Sequence, residues 1–250
     1  MHNVCGMEKA CGCSLMFYVG VLTSGCVSLE EAKSCYDGLV TNRCTDSASF
    51  EEFLEEVNAN CQPIGIHFID RADEVDGNTY IGYISSVPAE KWLADATSYD
   101  IKEISYLVEV VSAIMNTSKG SINKVDALNL RNNLSVGTDA DTAVYSLPLE
   151  RASELLDVWQ KDRFLTAHEK DVDELLIGVR SFIELSEIIG GAGSSSEEGL
   201  ACPLCKHTVS FGIKCDGSDC PAKIHMHCRR NLGSSGRCTL CKQPWPHIEG

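Results

Sequence analysis

The sequence predicts a mainly α-helical body with small β hairpins, laid out twice in the same order, and a short metal-dependent module behind it. Three observations carry that prediction. Helix-capping signals and apolar residues at helical spacing recur in two copies before residue 190. Each copy ends in β-rich runs around turn residues. Seven of the fourteen cysteines then fall within residues 202–241, paired at metal spacing behind a Gly/Ser-rich segment.

In the first copy a helix is expected over Ala10–Thr23, where Leu15, Val19 and Leu22 share one side. The apolar stretch Cys13–Gly25 has the length of a secretory-signal core. Glu8 and Lys9 cancel in front of it, whereas a signal needs a positive start, so it reads as buried helix. The second helix starts at the box SLEE, with Ser28 as cap and Glu31 as its partner. The third starts at Ser49, boxed by Glu52, and aligns Phe50, Phe53, Leu54 and Val57 on one face. IGIHFID (Ile64–Asp70) and TYIGYIS (Thr79–Ser85) then flank DEVDGN, whose Asp76-Gly77 suits a tight hairpin turn. Three helices followed by a two-stranded hairpin is a winged-helix layout.

The second copy opens with another box, Asp100 and Glu103, and a helix with Ile104, Leu107, Val108, Val111 and Met115 on one side. A second helix is expected over Ile122–Asn132. The third starts at SLPLERASELL, with Ser146 as cap and Pro148 in the first turn. A strand pair is expected at Phe164–His168 and Glu174–Ile177, and a last helix, Val179–Ile189, stopping at Gly190-Gly191. The predicted fold is therefore mainly α with small β wings: two tandem winged-helix domains followed by a two-zinc cross-braced RING-like finger. Residues 1–96 form the first domain with an N-terminal extension and residues 97–189 the second. GGAGSSSEEG, within residues 190–199, is a flexible linker, and residues 200–250 are the finger. No apolar run reaches the roughly 20 residues of a membrane span.

Charge narrows the function. Residues 1–199 hold 14 Lys+Arg against 33 Asp+Glu, and residues 200–250 hold 7 against 3. An acidic body is a poor ligand for phosphate backbone. The third helix of the first copy carries four glutamates, Glu51, Glu52, Glu55 and Glu56, so neither copy offers a credible DNA-reading helix. Protein docking is the better use of both. There is no phosphate-cradling glycine motif, nucleophile elbow or paired acid/base constellation. Ser194–Ser196 ahead of Glu197 and Glu198 read as solvated linker with a phosphorylation site as the alternative.

The tail reads CPLC, CDGSDC, HMHC, CTLC. Its cysteines are Cys202, Cys205, Cys215, Cys220, Cys228, Cys238 and Cys241. Structural zinc is four-coordinate, so two ions need one histidine more. His225 stands at the same two-residue gap from Cys228 that separates the cysteines of the C-x-x-C pairs. His227 is adjacent to Cys228 and points to the other side, and His207 is the weaker competitor. Alternating pairs then give Cys202, Cys205, His225 and Cys228 on one zinc, and Cys215, Cys220, Cys238 and Cys241 on the other. Two Zn2+ ions supply most of the folding free energy of so small a module, on the order of 10 kcal/mol per site. Thiolate ligation places the chain in a reducing compartment.

The ligand order suits both PHD-type and RING-variant fingers. Gly236 stands where PHD readers carry an aromatic, and a methyl-lysine cage would need more rings than Phe211 and Trp245. Leu204 lies where RING ligases place an aliphatic contact for a ubiquitin-conjugating enzyme. Lys242 follows the last ligand, where active ligases often place a cation. Local core and solvated surface are the plain alternatives for these two. The last pair, CTLC, lacks the proline often found there.

With two winged helices, a Gly/Ser tether and this finger, the chain resembles the non-SMC element 1 family, subunits of the structural-maintenance-of-chromosomes five/six complex. The finger, through Trp245, Pro246 and His247, is similar to that family's RING-like domain, and the order and length of the body match from about Leu15. It departs in the wider gap between Cys215 and Cys220 and in the missing proline. The resemblance implies a nuclear DNA-repair role, a MAGE-type partner, a kleisin subunit, DNA reached only through the complex, and ubiquitin-ligase activity boosted by the MAGE-type partner. The alternative is an architectural subunit whose finger only stiffens a docking surface. The N-terminal cysteines Cys5, Cys11, Cys13, Cys26, Cys35, Cys44 and Cys61 read as free thiols. A site from His2, Cys5, Cys11 and Cys13 lacks paired spacing. His67 and His168 read as hairpin residues without a catalytic role.

Overall fold

The computed structural model describes residues 20–21, 23–43, 45–86, 98–136, 143–192, 201–232 and 236–246. The expected helix Ala10–Thr23, the targeting alternative, Cys5, Cys11, Cys13, Cys44, Ser194–Ser196 and His247 lie wholly or mostly outside those residues. Val21 is described and is buried in the first core.

The chain runs strand β1 (Cys26–Ser28), helices α1 (Leu29–Thr41) and α2 (Phe50–Cys61), then strands β2 (Ile66–Ala72) and β3 (Thr79–Ser85). They form a three-stranded antiparallel sheet in the order β1-β3-β2, with Ile69 opposite Gly82 and Gly82 opposite Cys26. Capping fixes where the helices begin. The Ser28 hydroxyl accepts from the Glu31 amide while the Glu31 carboxylate accepts from the Ser28 amide, the expected reciprocal box. At α2 the Ser49 hydroxyl accepts from the Glu52 amide, but the Glu52 carboxylate reaches the Ala48 amide, one residue upstream of the expected partner. The apolar face of α2 is buried as its spacing requires, through Phe50, Phe53 and Val57, with Leu54 at its edge. Asn58 holds α2 to β2, donating to the Phe68 carbonyl and accepting from the Phe68 amide.

The second half runs α3 (Ile101–Met115), β4 (Ile122–Asn123), α4 (Lys124–Asn129), β5 (Leu134–Val136), β6 (Ala143–Tyr145), α5 (Leu149–Lys161), β7 (Leu165–His168) and β8 (Asp171–Ile177), closing with α6 (Val179–Glu184) and α7 (Ser186–Ala192). Its main sheet is ordered β4-β8-β7, and β5 pairs with β6. Asp100 caps α3 in a full box with Glu103. Ile104, Leu107 and Val111 are buried as expected. Tyr106, Val110 and Ile114 are buried too, because α3 is wrapped on more than one side. Trp159 of α5 is buried in the same core, its ring tilted against that of Tyr106 with centroids 5.3 Å apart.

Three expected helices of this half are corrected. Ser146 does not cap α5. The backbone stays extended through Pro148 (φ −56°, ψ 143°), which occupies the cap position without a side-chain bond. A residue before proline avoids helical geometry, and here that residue, Leu147, is buried. The helix expected over Ile122–Asn132 starts only at Lys124: Ile122 and Asn123 pair with β8, and the Asn123 side chain accepts from the Val125 amide as a cap. A single 3-10 turn, Leu130–Asn132, ends it. The helix expected over Val179–Ile189 is two helices broken at Leu185, and the second runs through Gly190 and Gly191 to Ala192. The break lets neighbouring side chains serve different cores, Ile183 packing with the first sheet and Phe182 and Leu185 with the second core.

The two halves meet at that helix. Cys26 and Tyr80 of the first sheet pack with Val179 and Ile183, and a Cβ on Gly82 would lie 2.7 Å from Ile183. Arg163 stacks on the Tyr80 ring and donates to its hydroxyl. Beneath it, the buried Arg180 and Glu184 form an ion pair, with the guanidinium 4.2 Å from the Phe164 ring. Burial pushes the Glu184 carboxyl up, against the pull of Arg180. Among the described residues no helix is long and apolar enough to cross a membrane.

Candidate metal centre and its seat on the body

The finger, residues 201–246 among those described, has little regular structure: a two-residue pair β9 (Ile213–Lys214) with β10 (Lys223–Ile224), and a 3-10 turn at His227–Asn231. Its apolar interior consists of Val209, Ile213, Ala222, Ile224 and Trp245 packed around cysteines. Trp245 of the WPH segment is therefore core. Two four-residue groups lie within the finger: Cys202, Cys205, His225 and Cys228, and Cys215, Cys220, Cys238 and Cys241, the ligand atoms of each within 4.8 Å of one another.

The spacing inside each group suits zinc. A tetrahedral ion with Zn–S near 2.3 Å sets neighbouring sulfurs about 3.8 Å apart, and a sulfur and a nitrogen slightly closer. Cys215 and Cys241 sulfurs are 3.4 Å apart, and Cys220 and Cys238 sulfurs 3.9 Å. His225 Nδ1 lies 3.3 Å from the Cys205 sulfur and 3.7 Å from that of Cys228. Each group could hold one Zn2+, and the two groups interleave along the chain as a cross-brace. The surroundings lower two of the thiols and raise three others, Cys215, Cys220 and Cys228. Burial pushes the Cys202 thiol up, but hydrogen bonds from His225 and from the Cys205 and Leu204 amides outweigh it and bring it down to about 6. Chiefly through the Gln243 amide, Cys241 is lowered to about 7. Burial with no such amide majority leaves Cys215 pushed up to about 12, a thiol that only a metal would ionise at neutral pH.

The candidate histidines separate cleanly. His225 is 2% exposed and aims Nδ1 at the cysteines. His227 stacks parallel on it, ring centroids 4.9 Å apart, and belongs to neither group. His207 also stands outside both. Leu204 is half-buried at the edge of the finger core. Lys242 is exposed, and its ammonium donates to the Thr239 carbonyl. Elsewhere Cys26 and Cys61 are buried and Cys35 is exposed, and none of the three is in a disulfide. Burial raises the Cys26 thiol to about 11, so it is unreactive at neutral pH. His67 is exposed on β2, while His168 meets the Phe211 ring edge-on.

The seat of the finger was not legible in the sequence. The turn between β2 and β3 is six residues, wider than the expected tight turn. Asp73 accepts from the Val75 and Asp76 amides, and Gly77 takes the left-handed region (φ 73°). This turn lies against the finger: a Cβ on Gly77 would come within 2.7 Å of His227, and Arg71 donates to the Thr208 carbonyl. Glu74, 1% exposed, accepts from the Ser210 amide (2.7 Å), the Ser210 hydroxyl (2.6 Å) and the Phe211 amide (3.1 Å). The second half supplies Gly120, where a Cβ would lie 2.1 Å from the Ser210 carbonyl oxygen. No local motif marks Glu74, one acid among 36.

Comparison with known proteins agrees with this architecture. A search of curated proteins by sequence returned no match. A solved structure described as an Nse1-Nse3-Nse4 complex contains a chain of similar fold, with a TM-score of 0.74 at 16% identity, covering 95% of this chain and 97% of that one. The family model described as the Nse1 non-SMC component of the SMC5-6 complex matches residues 17–185, most of the helical body. The chain belongs to that Nse1 family.

Proposed function

We propose that this chain is the RING-type ubiquitin-ligase subunit of an SMC5-6 complex, acting in DNA repair in the nucleus. In this reading residues 1–96 and 97–189 are tandem winged-helix domains, residues 190–199 tether them to a RING-like finger, and the body docks a MAGE-type subunit and a kleisin subunit. The sheet order β1-β3-β2 beside α1 and α2 supports the winged-helix assignment, as does the second sheet β4-β8-β7 beside α3–α5. Membership of the Nse1 family and the likeness to a chain of an Nse1-Nse3-Nse4 complex support the partners. DNA is contacted only through the complex, since Glu51, Glu52, Glu55 and Glu56 on the outer face of α2 are all exposed.

The single observation that carries the ligase reading is the interleaved pair of Cys/His groups, Cys202, Cys205, His225 and Cys228 with Cys215, Cys220, Cys238 and Cys241, each of which could hold one zinc ion. Zinc bound here would supply structure, because four protein ligands in each group would leave no position for water or substrate. The finger forms no covalent intermediate. It holds a ubiquitin-conjugating enzyme so that a lysine amine attacks the thioester carbonyl; the isopeptide bond forms and the conjugating enzyme's cysteine thiol leaves. The gain is one of proximity. Leu204 would supply the apolar contact, and Lys242 would hydrogen-bond the charged enzyme.

The test is ubiquitin discharge from a charged conjugating enzyme with and without a MAGE-type partner. Partner-stimulated discharge that drops about tenfold or more in Leu204→Ala is expected, the cost of losing one apolar interface anchor. Zinc-loaded protein inactive with a broad enzyme panel would favour the architectural reading. That reading is supported by CTLC lacking proline and by the finger's anchoring to the body through Glu74 and Arg71.

A further inference from the structure

His225 has two ring nitrogens with different neighbours. Nδ1 faces the Cys205 and Cys228 sulfurs. Nε2 faces away from them, 3.1 Å from the Thr208 carbonyl and 3.3 Å from Oε1 of Glu74. Glu74 comes from the first-half turn, 136 residues away in sequence from Ser210, to which the same carboxylate is bonded. It is almost fully buried, and no carboxylate is left in such a place without several donors.

We propose that Glu74 is the outer carboxylate of the first metal site, a positioning residue that fixes the ring of His225 for its ion. Occupation of that site and seating of the finger on the β2–β3 turn are then one linked equilibrium. The chemistry follows from the imidazole. A metal on Nδ1 requires the proton on Nε2, and an acceptor for that proton orients the ring and makes the other nitrogen a better ligand. The Thr208 carbonyl supplies one acceptor from within the finger. Glu74 supplies the other from outside it, and with the same two oxygens takes the Ser210 amide, the Ser210 hydroxyl and the Phe211 amide. Lys223 closes the arrangement by donating to the Ser210 carbonyl, 2.7 Å away. The second metal group has no counterpart: its four cysteines have no ring to orient, and no residue of the body bonds them among the contacts described. Coupling free energies are reciprocal, so whatever Glu74 adds to metal affinity, the metal returns as adhesion of finger to body.

The inference rests on metal occupancy of the finger and is independent of ligase activity. Cobalt is the probe, loaded into the full chain, because a three-thiolate, one-imidazole site and a four-thiolate site absorb differently. Competition with a chelator should show Glu74→Gln weakening the three-thiolate site about 10- to 100-fold while the four-thiolate site is unchanged. Equal affinities in wild type and variant would overturn the proposal, and so would parallel loss at both sites, which marks general unfolding. A second measurement needs no substitution at Glu74. In His225→Ala, the turn amides of residues 73–78 and those of Ser210 and Phe211 should exchange with solvent faster. In Cys238→Ser, which removes only the other site, they should stay protected. Unchanged protection in His225→Ala, or an equal loss in both variants, contradicts the linkage.

Discussion

Stripping both metal ions from the finger with a chelator will unfold residues 201–246 and leave the helical body standing. Without metal, five main apolar side chains, Val209, Ile213, Ala222, Ile224 and Trp245, remain to hold the module. So few side chains cannot offset the conformational entropy of ordering a module of this length. Metal ligation, which carries folding free energy directly, supplies what the apolar interior lacks. The body is different. Its two cores contain Phe53, Val57, Phe68 and Ile81 in one half and Tyr106, Trp159 and Phe164 in the other, all essentially fully buried. Hydrogen exchange read by segment checks the outcome. Finger amides should lose protection on chelation, while α3 and α5 keep theirs. A finger that stays protected without metal would refute the account of its stability.

The second large effect is expected at the joint between the halves. Glu184→Ala leaves the Arg180 guanidinium buried against Phe164 with its counter-charge gone, and should cost about 3–5 kcal/mol in urea denaturation. Replacing both together, Arg180→Met with Glu184→Leu, should recover most of that loss, because the penalty belongs to an unpaired charge rather than to a missing attraction. The same guanidinium explains Gly25: it takes φ +74°, and a Cβ there would lie 2.1 Å from Arg180 Cζ. A single variant costing under 1 kcal/mol would mean that water reaches Arg180.

Sequence reasoning succeeded where chemistry is local. Capping boxes at Ser28 and Asp100 were legible because cap and partner are three residues apart. The metal groups were legible because zinc needs four ligands and the spacing left one histidine able to complete the count; His225 now stands in that group and His227 does not. The misses share a cause. Strand β1 is three residues long and exists only because β3 offers an edge. The hairpin β5–β6 is equally short. The break at Leu185 answers to two cores at once, and Ser146 lost its expected role to the backbone geometry that Pro148 imposes. Glu74 is the extreme case, since its partners Ser210, Phe211 and His225 come from the other end of the chain. Periodicity cannot report such a contact.

The metal centre is the foundation of the proposed function, and the zinc content of purified full-length chain tests it most directly. Wild type should contain two zinc ions per chain, His225→Ala one tightly held ion, and His227→Ala still two. Fewer than two in wild type, or an ion lost from His227→Ala and retained by His225→Ala, would contradict the ligand assignment and with it the cross-braced finger.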